Sequence, residues 1–234
     1  MKKTTHKSKW IFALLVTAAM MSSTTATADE LYLELHGNSS AVDGTQQRLA
    51  NNSTVSGPGF YLGIEPDWLA GGRLMLGYDG DGFEDTRHFD NDLFSTWSRD
   101  RAMAKADFGY DLVEDQLRPL IRTGVGYSYQ RLELTDTDNT TYRGSDHGVS
   151  AMVAGGLETR IALGGDEDSP GRFSLGANLL LGYSWNSRAN FDEMESTETQ
   201  EDDSWQRSSY DAGSMRTAGF AYSAGVTLRY RFGN

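Results

Sequence analysis

The sequence predicts an all-β fold, namely an eight-stranded antiparallel up-and-down transmembrane β-barrel that is preceded by a cleavable signal peptide. Apolar and polar residues alternate with a period of two along eight stretches, whereas no helical period of about 3.6 persists. Several stretches are 14 to 16 residues long. This exceeds the roughly 5–6 residues of a typical globular strand and suits tilted strands that cross a bilayer.

Residues 1–28 predict a secretory signal peptide. Four lysines among the first nine residues form a basic segment, an apolar stretch follows at 10–21, and small residues end in an A-x-A cleavage site at Ala28. The apolar stretch is too short for a membrane anchor and is not followed by a basic stop. We therefore expect cleavage after Ala28, which leaves one outer-membrane β-barrel domain at 29–234.

Composition excludes several other classes. The mean hydropathy of −0.52 argues against a polytopic helical membrane protein, which needs apolar runs of about 20 residues. The net charge of −12 argues against a nucleic-acid partner, because such proteins present a basic face to phosphates. The absence of cysteine excludes disulfides, thiolate metal sites and thiol nucleophiles.

The eight predicted strands each have one apolar and one polar face. They span 30–37, 59–68, 73–79, 97–111, 117–131, 148–163, 172–185 and 217–232. In chain order, their apolar faces begin with Leu31 and Leu33, Phe60 and Leu62, Leu74 and Leu76, Ala102 and Ala104, Ile121 and Val125, Val149 and Ala151, Phe173 and Leu175, and Phe220 and Tyr222. In a soluble sandwich these faces would form a core, whereas in a membrane barrel they contact lipid.

Connector lengths favour the membrane barrel. Gaps after the even-numbered strands are short (69–72, 112–116 and 164–171), and those after the odd-numbered strands are long and polar (38–58, 80–96, 132–147 and 186–216). Transmembrane barrels have short periplasmic turns and longer extracellular loops. The pattern therefore predicts four long extracellular loops and two periplasmic termini.

Aromatic residues on the apolar faces predict two girdles, because aromatic side chains prefer membrane–water interfaces. Those near the short turns are Trp68, Phe108, Tyr110, Phe173, Tyr230 and Phe232. Those near the long loops are Phe60, Tyr78, Tyr127, Tyr129, Tyr183, Trp185, Phe220 and Tyr222.

The polar faces predict a charged barrel interior. The expected members are Glu34, Glu65, Asp67, Asp79, Arg99, Arg101, Lys105, Asp107, Arg118, Arg122, Glu158, Arg160, Arg229 and Arg231, with Arg73 and Arg172 beside them. An eight-stranded barrel has an interior that side chains nearly fill. Charges there must be paired, and the planar guanidinium pairs both oxygens of a carboxylate. We expect a cross-braced plug, and a narrow ion path is the alternative.

The last strand carries the most specific motif. Its alternation of Ser223, Gly225, Leu228, Tyr230 and Phe232 is similar to the C-terminal insertion signal of outer-membrane barrels. Over residues 29–234 the chain resembles the small eight-stranded barrels typified by the OmpA transmembrane domain. The resemblance implies a monomer in the outer membrane of a Gram-negative envelope. Its expected partners are the lipid bilayer, lipopolysaccharide and the outer-membrane assembly machinery.

No strong cofactor or catalytic site emerges from the sequence. The acidic loops offer a weak divalent-cation candidate at Asp79, Asp81, Glu84 and Asp85, which lacks the spacing of a calcium loop. Some outer-membrane barrels are enzymes, and the lipid A deacylase barrels carry a close His-x-Ser pair. Here His147 is followed by Gly-Val-Ser, and alternation separates His147 from Ser150.

The sequence therefore predicts a non-enzymatic outer-membrane barrel with a role in envelope integrity or surface interaction. A small, porin-like pore for ions or solutes is the alternative. A lipid A-modifying hydrolase is the third hypothesis.

Overall fold

The structure of the protein is a computed structural model. The described residues are 28–41, 54–66, 68–69, 71–89, 93–113, 116–136, 139–163, 171–196, 209–215 and 218–232. The predicted signal peptide, apart from Ala28, lies outside them, as do Asp67 and the side chain of Asp85. Within this part of the chain, no helix is long and apolar enough to cross a membrane.

Eight long strands form a closed antiparallel barrel, which confirms the predicted fold. They are β1 (Ala28–Ala41), β2 (Thr54–Pro66), β3 (Gly72–Phe89), β4 (Leu93–Gly109), β5 (Leu117–Thr135), β6 (Thr141–Leu163), β7 (Arg172–Asn186) and β12 (Ala218–Arg231). Four short strands lie between β7 and β12, namely β8 (Ala189–Asn190), β9 (Met194–Ser196), β10 (Ser209–Tyr210) and β11 (Ser214–Met215).

Each long strand pairs with its neighbours in the chain, and β12 closes the barrel by pairing with β1. The closing register places Leu31 opposite Tyr230 and Leu35 opposite Val226. Closure leaves no free sheet edge in the barrel wall, so backbone polar groups are paired between strands. A β-bulge in β1 lies opposite the C-terminal end of β2, where Pro66 pairs with Ala28.

The barrel has two distinct ends. The turn end carries the short connectors, in which Gly71 and Gly171 adopt positive φ angles of 69° and 81° just before β3 and β7. The loop end carries the hairpin between β3 and β4, the hairpin between β5 and β6, and the short strands β8 to β11.

The outer surface of the barrel is apolar and the inner surface is charged. Exposed side chains include Leu35, Val125, Val153, Leu157, Leu179 and Leu181, which are 50% to 65% exposed. Buried side chains include fully enclosed arginines and carboxylates. A water-soluble sandwich would show the reverse arrangement, with its apolar side chains packed between two sheets. The fold is therefore that of a transmembrane barrel of the outer-membrane type.

An arginine at the middle of this apolar surface tests its contact with lipid. Leu179 is 57% exposed and lies at the midpoint of β7. We expect Leu179→Arg to lower the free energy of unfolding in vesicles by about 2–4 kcal/mol, the usual cost of a cation on a lipid face. Urea titration of the folded fraction measures this cost. Ser145→Arg, at an exposed position of β6 near the loop end, is the control, and equal costs for the two variants would contradict the assignment.

Two of the predicted loop ranges are wrong. Residues 80–96 belong largely to β3 and β4, which continue to Phe89 and resume at Leu93, and residues 132–147 belong largely to β5 and β6. Apolar and polar residues still alternate in these extensions, but here the apolar side chains point inward and the polar ones outward. Their inward positions become apolar at Phe83 and Leu132, while outward positions such as Glu84 and Ser145 become polar. The two hairpins thus extend the barrel wall beyond its apolar band.

Candidate functional site

The centre of the barrel is braced by one guanidinium between two carboxylates. Arg122 of β5 donates from Nη1 to Glu34 Oε1 at 2.6 Å and from Nη2 to Glu34 Oε2 at 2.7 Å. On its other side, Arg122 Nε and Nη2 donate to the two oxygens of Asp107 at 2.7 and 2.8 Å. All three side chains are buried. Charge-assisted bidentate pairs of this kind join β1, β4 and β5 across the lumen.

A second node surrounds Glu158 on β6. Arg73 Nη1 donates to Glu158 Oε2 at 2.6 Å, Arg160 Nε donates to Oε1 at 3.2 Å, and Arg229 also donates to Oε1. Arg73 connects this node to the first, because its Nη1 lies 3.8 Å from Asp107 Oδ2. The guanidinium groups of Arg73 and Arg229 lie 4.7 and 5.2 Å from the ring centre of Tyr32.

The network continues towards the turn end, where it becomes more exposed. Glu65 accepts hydrogen bonds from Arg73 and Arg118, at 3.2 and 3.3 Å from Oε2. Glu30 accepts from Arg229 and Arg231. The side chain of Arg231 is 41% exposed, whereas that of Arg229 is 3% exposed.

A third node lies towards the loop end, around Asp79. Its carboxylate accepts hydrogen bonds from His36 Nε2 at 2.8 Å and Tyr61 OH at 2.7 Å, and it lies 3.2 Å from Lys105 Nζ. The ammonium of Lys105 lies 3.7 Å from the ring centre of Tyr61. Next to this node, Arg99 forms a bidentate pair with Asp81, and Arg101 Nη2 lies 3.3 Å from the same carboxylate.

Five members of these nodes were absent from the set of charged interior residues predicted from the sequence. They are Glu30, Tyr32, His36, Tyr61 and Asp81. Alternation places the first four on the polar faces of their strands, and this pattern is sufficient to predict that they face the interior. Asp81 lies in the extension of β3 beyond residue 79, a range that the sequence predicts to be a loop.

The loop end carries an apolar cluster instead of charges. The loop-end cluster consists of Val55, Trp97, Leu132, Leu134, Ala189, Phe191, Met194 and Met215. The first four members lie on barrel strands, and the other four lie in the segment between β7 and β12. Phe191 N donates to Gly213 O at 3.0 Å, and β9 pairs with β6. The described parts of this segment therefore pack against the inward face of the extended hairpins, beyond the charged nodes.

The predicted girdle residues lie on the outer surface and are exposed or half-buried. Trp68 is the most exposed near the turn end at 70%, and Phe220 near the loop end at 80%. Near the turn end, the ring centres of Phe173 and Tyr230 lie 4.9 Å apart, and those of Tyr230 and Phe232 lie 5.1 Å apart. The other predicted members are Phe108, Tyr110, Phe60, Tyr78, Tyr127, Tyr129, Tyr183, Trp185 and Tyr222.

The residues of the predicted insertion signal, Ser223 to Phe232, lie in β12 and just after it. Gly225 faces the interior, where an added Cβ would lie 2.8 Å from His36 Cβ and 3.0 Å from Asn178 Oδ1. A side chain there would therefore collide with the node around Asp79.

The structure does not place Asp79, Asp81 and Glu84 on one face of β3, and the side chain of Asp85, the fourth predicted cation ligand, lies outside the described residues. Asp79 and Asp81 face the interior and pair with cationic side chains, whereas Glu84 is exposed on the opposite face of β3. Among the described residues, no group of three or more acidic or histidine side chains is arranged to hold a metal ion.

His147 and Ser150 do not form a catalytic pair. Ser150 is buried and donates to Asn186 Oδ1, whereas His147 is exposed and contacts the Tyr127 hydroxyl. The two side chains lie on opposite faces of the barrel wall, because side chains an odd number of residues apart in a strand point to opposite faces.

Among known proteins, only solved structures match this chain. No family model matches the sequence, and no curated protein matches it. Neisserial surface protein A matches with 11% identity over 88% of this chain and 99% of its own, with a TM-score of 0.42. The attachment invasion locus protein Ail of Yersinia pestis matches with 10% identity, the same coverages and a TM-score of 0.42. The N-terminal β-barrel domain of Pseudomonas aeruginosa OprF matches with 13% identity over 87% of this chain and 98% of its own, with a TM-score of 0.39. Identities this low transfer no function to this chain.

Proposed function

We propose that this protein is a non-conducting outer-membrane barrel that anchors a folded extracellular surface structure. The loop end faces the outside of the cell and the turn end faces the periplasm, where both termini lie. Its role is in envelope integrity or surface interaction. The protein acts as a monomer that contacts lipopolysaccharide and the bilayer, and the outer-membrane assembly machinery inserts it.

The observation that carries this proposal is the obstruction of the lumen at two levels. Three buried charged nodes connect opposite walls through short ion pairs, such as that of Arg122 with Glu34 at 2.6 Å. Beyond them, the loop-end cluster buries Phe191 and Met194, which are 2% and 0% exposed. Hydrated ions need a continuous polar path, and a dry apolar constriction opposes their passage.

The extended hairpins support a role at the cell surface. Their outward side chains near the loop end include ion pairs, such as Arg143 with Glu133 at 2.7 Å. The inward apolar cluster gives the described part of this region its own core. A rigid, polar surface suits protein or saccharide contacts better than a mobile loop does.

Conductance measurement tests the closed lumen. We expect the refolded protein to give no steady current in planar bilayers, because the charged nodes and the loop-end cluster block the path. Current is recorded over hours at both polarities, with folding verified by a heat-modifiability gel. Channels of reproducible size would contradict the proposal and favour the pore.

The enzyme hypothesis has its own test, since a lipid A hydrolase would alter the mass spectrum of lipid A on overexpression.

A further inference from the structure

A recess at the turn end of the barrel is lined mainly by arginines. Strands β6, β7 and β12 contribute Arg160, Arg172, Arg229 and Arg231, and the lining also includes Glu30 and Ser174. The cavity volume is about 20 Å³, and the recess is open on one side. Space of this size takes roughly one or two oxygen atoms. A larger group would therefore enter with some of its oxygens and keep the others at the mouth.

The strand register places like charges together at this recess. Arg231 of β12 lies directly opposite Arg172 of β7, and on its other side it lies opposite Glu30 of β1. Directly opposite residues on one face of a sheet are close neighbours, and like charges in such a pair are destabilising. Arg229 precedes Arg231 by two residues and so lies on the same face, opposite Ser174. The closed barrel thus fixes several guanidinium groups around one small space.

Three buried guanidinium groups at the turn end each keep one nitrogen without a hydrogen-bond partner among the described residues. These nitrogens are Arg229 Nε, Arg118 Nε and Arg73 Nη2. Their side chains are 3%, 2% and 1% exposed, and Arg229 lines the recess itself. All three nitrogens can only donate hydrogen bonds. An unsatisfied buried donor is costly, so native proteins pair such donors with protein atoms, ordered water or a ligand.

We propose that this recess is a binding site for a phosphate group. The ionised oxygens of phosphate only accept hydrogen bonds, which suits a set of groups that only donate. The tetrahedral arrangement of these oxygens lets one phosphate contact arginines from several strands, whereas a carboxylate presents two oxygens in one plane. Water has no net charge and would not offset the repulsion between Arg172 and Arg231. Ser174 adds a neutral hydroxyl donor to the same site.

The recess lies close to the boundary between lipid and water at the turn end. Phe173 and Tyr230, each adjacent in sequence to a recess arginine, face outward with ring centres 4.9 Å apart. The side chain of Arg231 is 41% exposed. Two sources of phosphate can reach this position, namely the headgroup of an anionic phospholipid and a soluble phosphate. The site goes beyond the proposed function and does not depend on the closed lumen.

Calorimetric titration with inorganic phosphate tests the site in the refolded protein. The titration is done in a phosphate-free detergent at constant ionic strength, so that screening stays the same throughout. We expect saturable binding to the unmodified protein. Arg172→Gln/Arg231→Gln should bind at least about tenfold more weakly, because two charged donors are lost. A heat-modifiability gel verifies that this variant is folded.

The matched control removes the same number of charges at the opposite end of the barrel. Arg131→Gln/Arg143→Gln changes two exposed arginines near the loop end, and its affinity for phosphate should equal that of the unmodified protein. Phosphate should also raise the urea midpoint of the unmodified protein, because a ligand of the folded state stabilises it. The same concentration of phosphate should leave the midpoint of Arg172→Gln/Arg231→Gln unchanged.

Native mass spectrometry distinguishes the two sources of phosphate. The protein is released from vesicles of phosphatidylcholine and phosphatidylglycerol. Retention of phosphatidylglycerol by the unmodified protein, but not by Arg172→Gln/Arg231→Gln, would assign the site to a lipid headgroup. Calorimetric binding of inorganic phosphate without retained lipid would assign it to a soluble phosphate.

Three outcomes would overturn the proposal. The first is that the unmodified protein binds neither inorganic phosphate nor phosphatidylglycerol. The second is an equal loss of affinity in the two arginine variants, which would show general charge attraction. The third concerns the connector 164–170, which lies outside the described residues and contains Asp166, Glu167 and Asp168. Binding that occurs only in Asp166→Asn/Glu167→Gln/Asp168→Asn would show that these carboxylates occupy the recess. None of these results depends on conductance, so failure of this site is distinguishable from failure of the proposed function.

Discussion

Replacement of Arg122 by methionine is expected to lower the free energy of unfolding by about 3–5 kcal/mol. Arg122 is 1% exposed and is shared by the carboxylates of Glu34 and Asp107, each at 2.6 to 2.8 Å. Removing the guanidinium leaves two buried carboxylates facing each other, and breaking a buried pair from one side has a cost of this size. Reversible unfolding in urea, in lipid vesicles, measures it through tryptophan fluorescence.

The control for this variant lies on the same strand. Arg131→Met removes an arginine whose side chain is 44% exposed and whose Nη2 lies 3.3 Å from Asp100 Oδ2. An exposed pair contributes at most about 1 kcal/mol, so the control should unfold close to the unmodified protein. If Arg122→Met and Arg131→Met had equal costs, the central node would not stabilise the barrel.

A neutral version of the central node separates the two contributions to this cost. The triple variant Glu34→Gln/Asp107→Asn/Arg122→Met has no charge left at the three positions. We expect it to recover part of the stability lost in Arg122→Met, because the penalty of an uncompensated buried charge is removed. A triple variant less stable than Arg122→Met would show that the carboxylates contribute through other contacts, such as that of Asn178 Nδ2 with Glu34 at 2.9 Å.

The barrel was predictable from the sequence because alternation directly reports two chemically different environments. Along β7, for example, Leu179 and Leu181 are exposed while Asn178 and Leu180 are buried. The same signal misled at the loop end, where the outer face meets water and the inner face is apolar. Leu132 continues the inward series of Ser128 and Gln130, yet its hydrophobicity indicates no continuation of a polar face. At the loop end, the faces exchange their polarity where the lipid ends, and alternation alone does not predict the position of that boundary.

The partners inside the lumen were not predictable from the sequence. Arg122 and Glu34 are 88 residues apart, and Asn178 and Glu34 are 144 apart. Which inward side chains meet across a barrel depends on strand tilt and stagger, which a single sequence does not specify. The strands β8 to β11 have two or three residues each, too few to show a period.

Replacement of Trp97 by alanine is expected to open the loop end while leaving the membrane-embedded barrel folded. Trp97 is 1% exposed, stacks on Phe83 with ring centres 5.8 Å apart, and packs in the loop-end cluster with Leu132 and Phe191. Truncating a buried tryptophan usually costs about 3–5 kcal/mol, through lost burial and the cavity that remains. The cost should fall mainly on the local stability of this cluster, because the nodes around Arg122 and Glu158 and the lipid-facing strands are unchanged. Arg99 loses the indole ring, whose centre lies 5.3 Å from its guanidinium carbon.

Limited proteolysis from the outer side measures this local opening. We expect faster cleavage between β7 and β12 in Trp97→Ala, while the heat-modifiability gel still shows a closed barrel. Phe94→Ala is the control, since Phe94 lies on the same strand but is 38% exposed, and its cleavage should match that of the unmodified protein. Loss of heat modifiability in Trp97→Ala would mean that the cluster and the barrel unfold as one unit, and the surface structure would then have no core of its own.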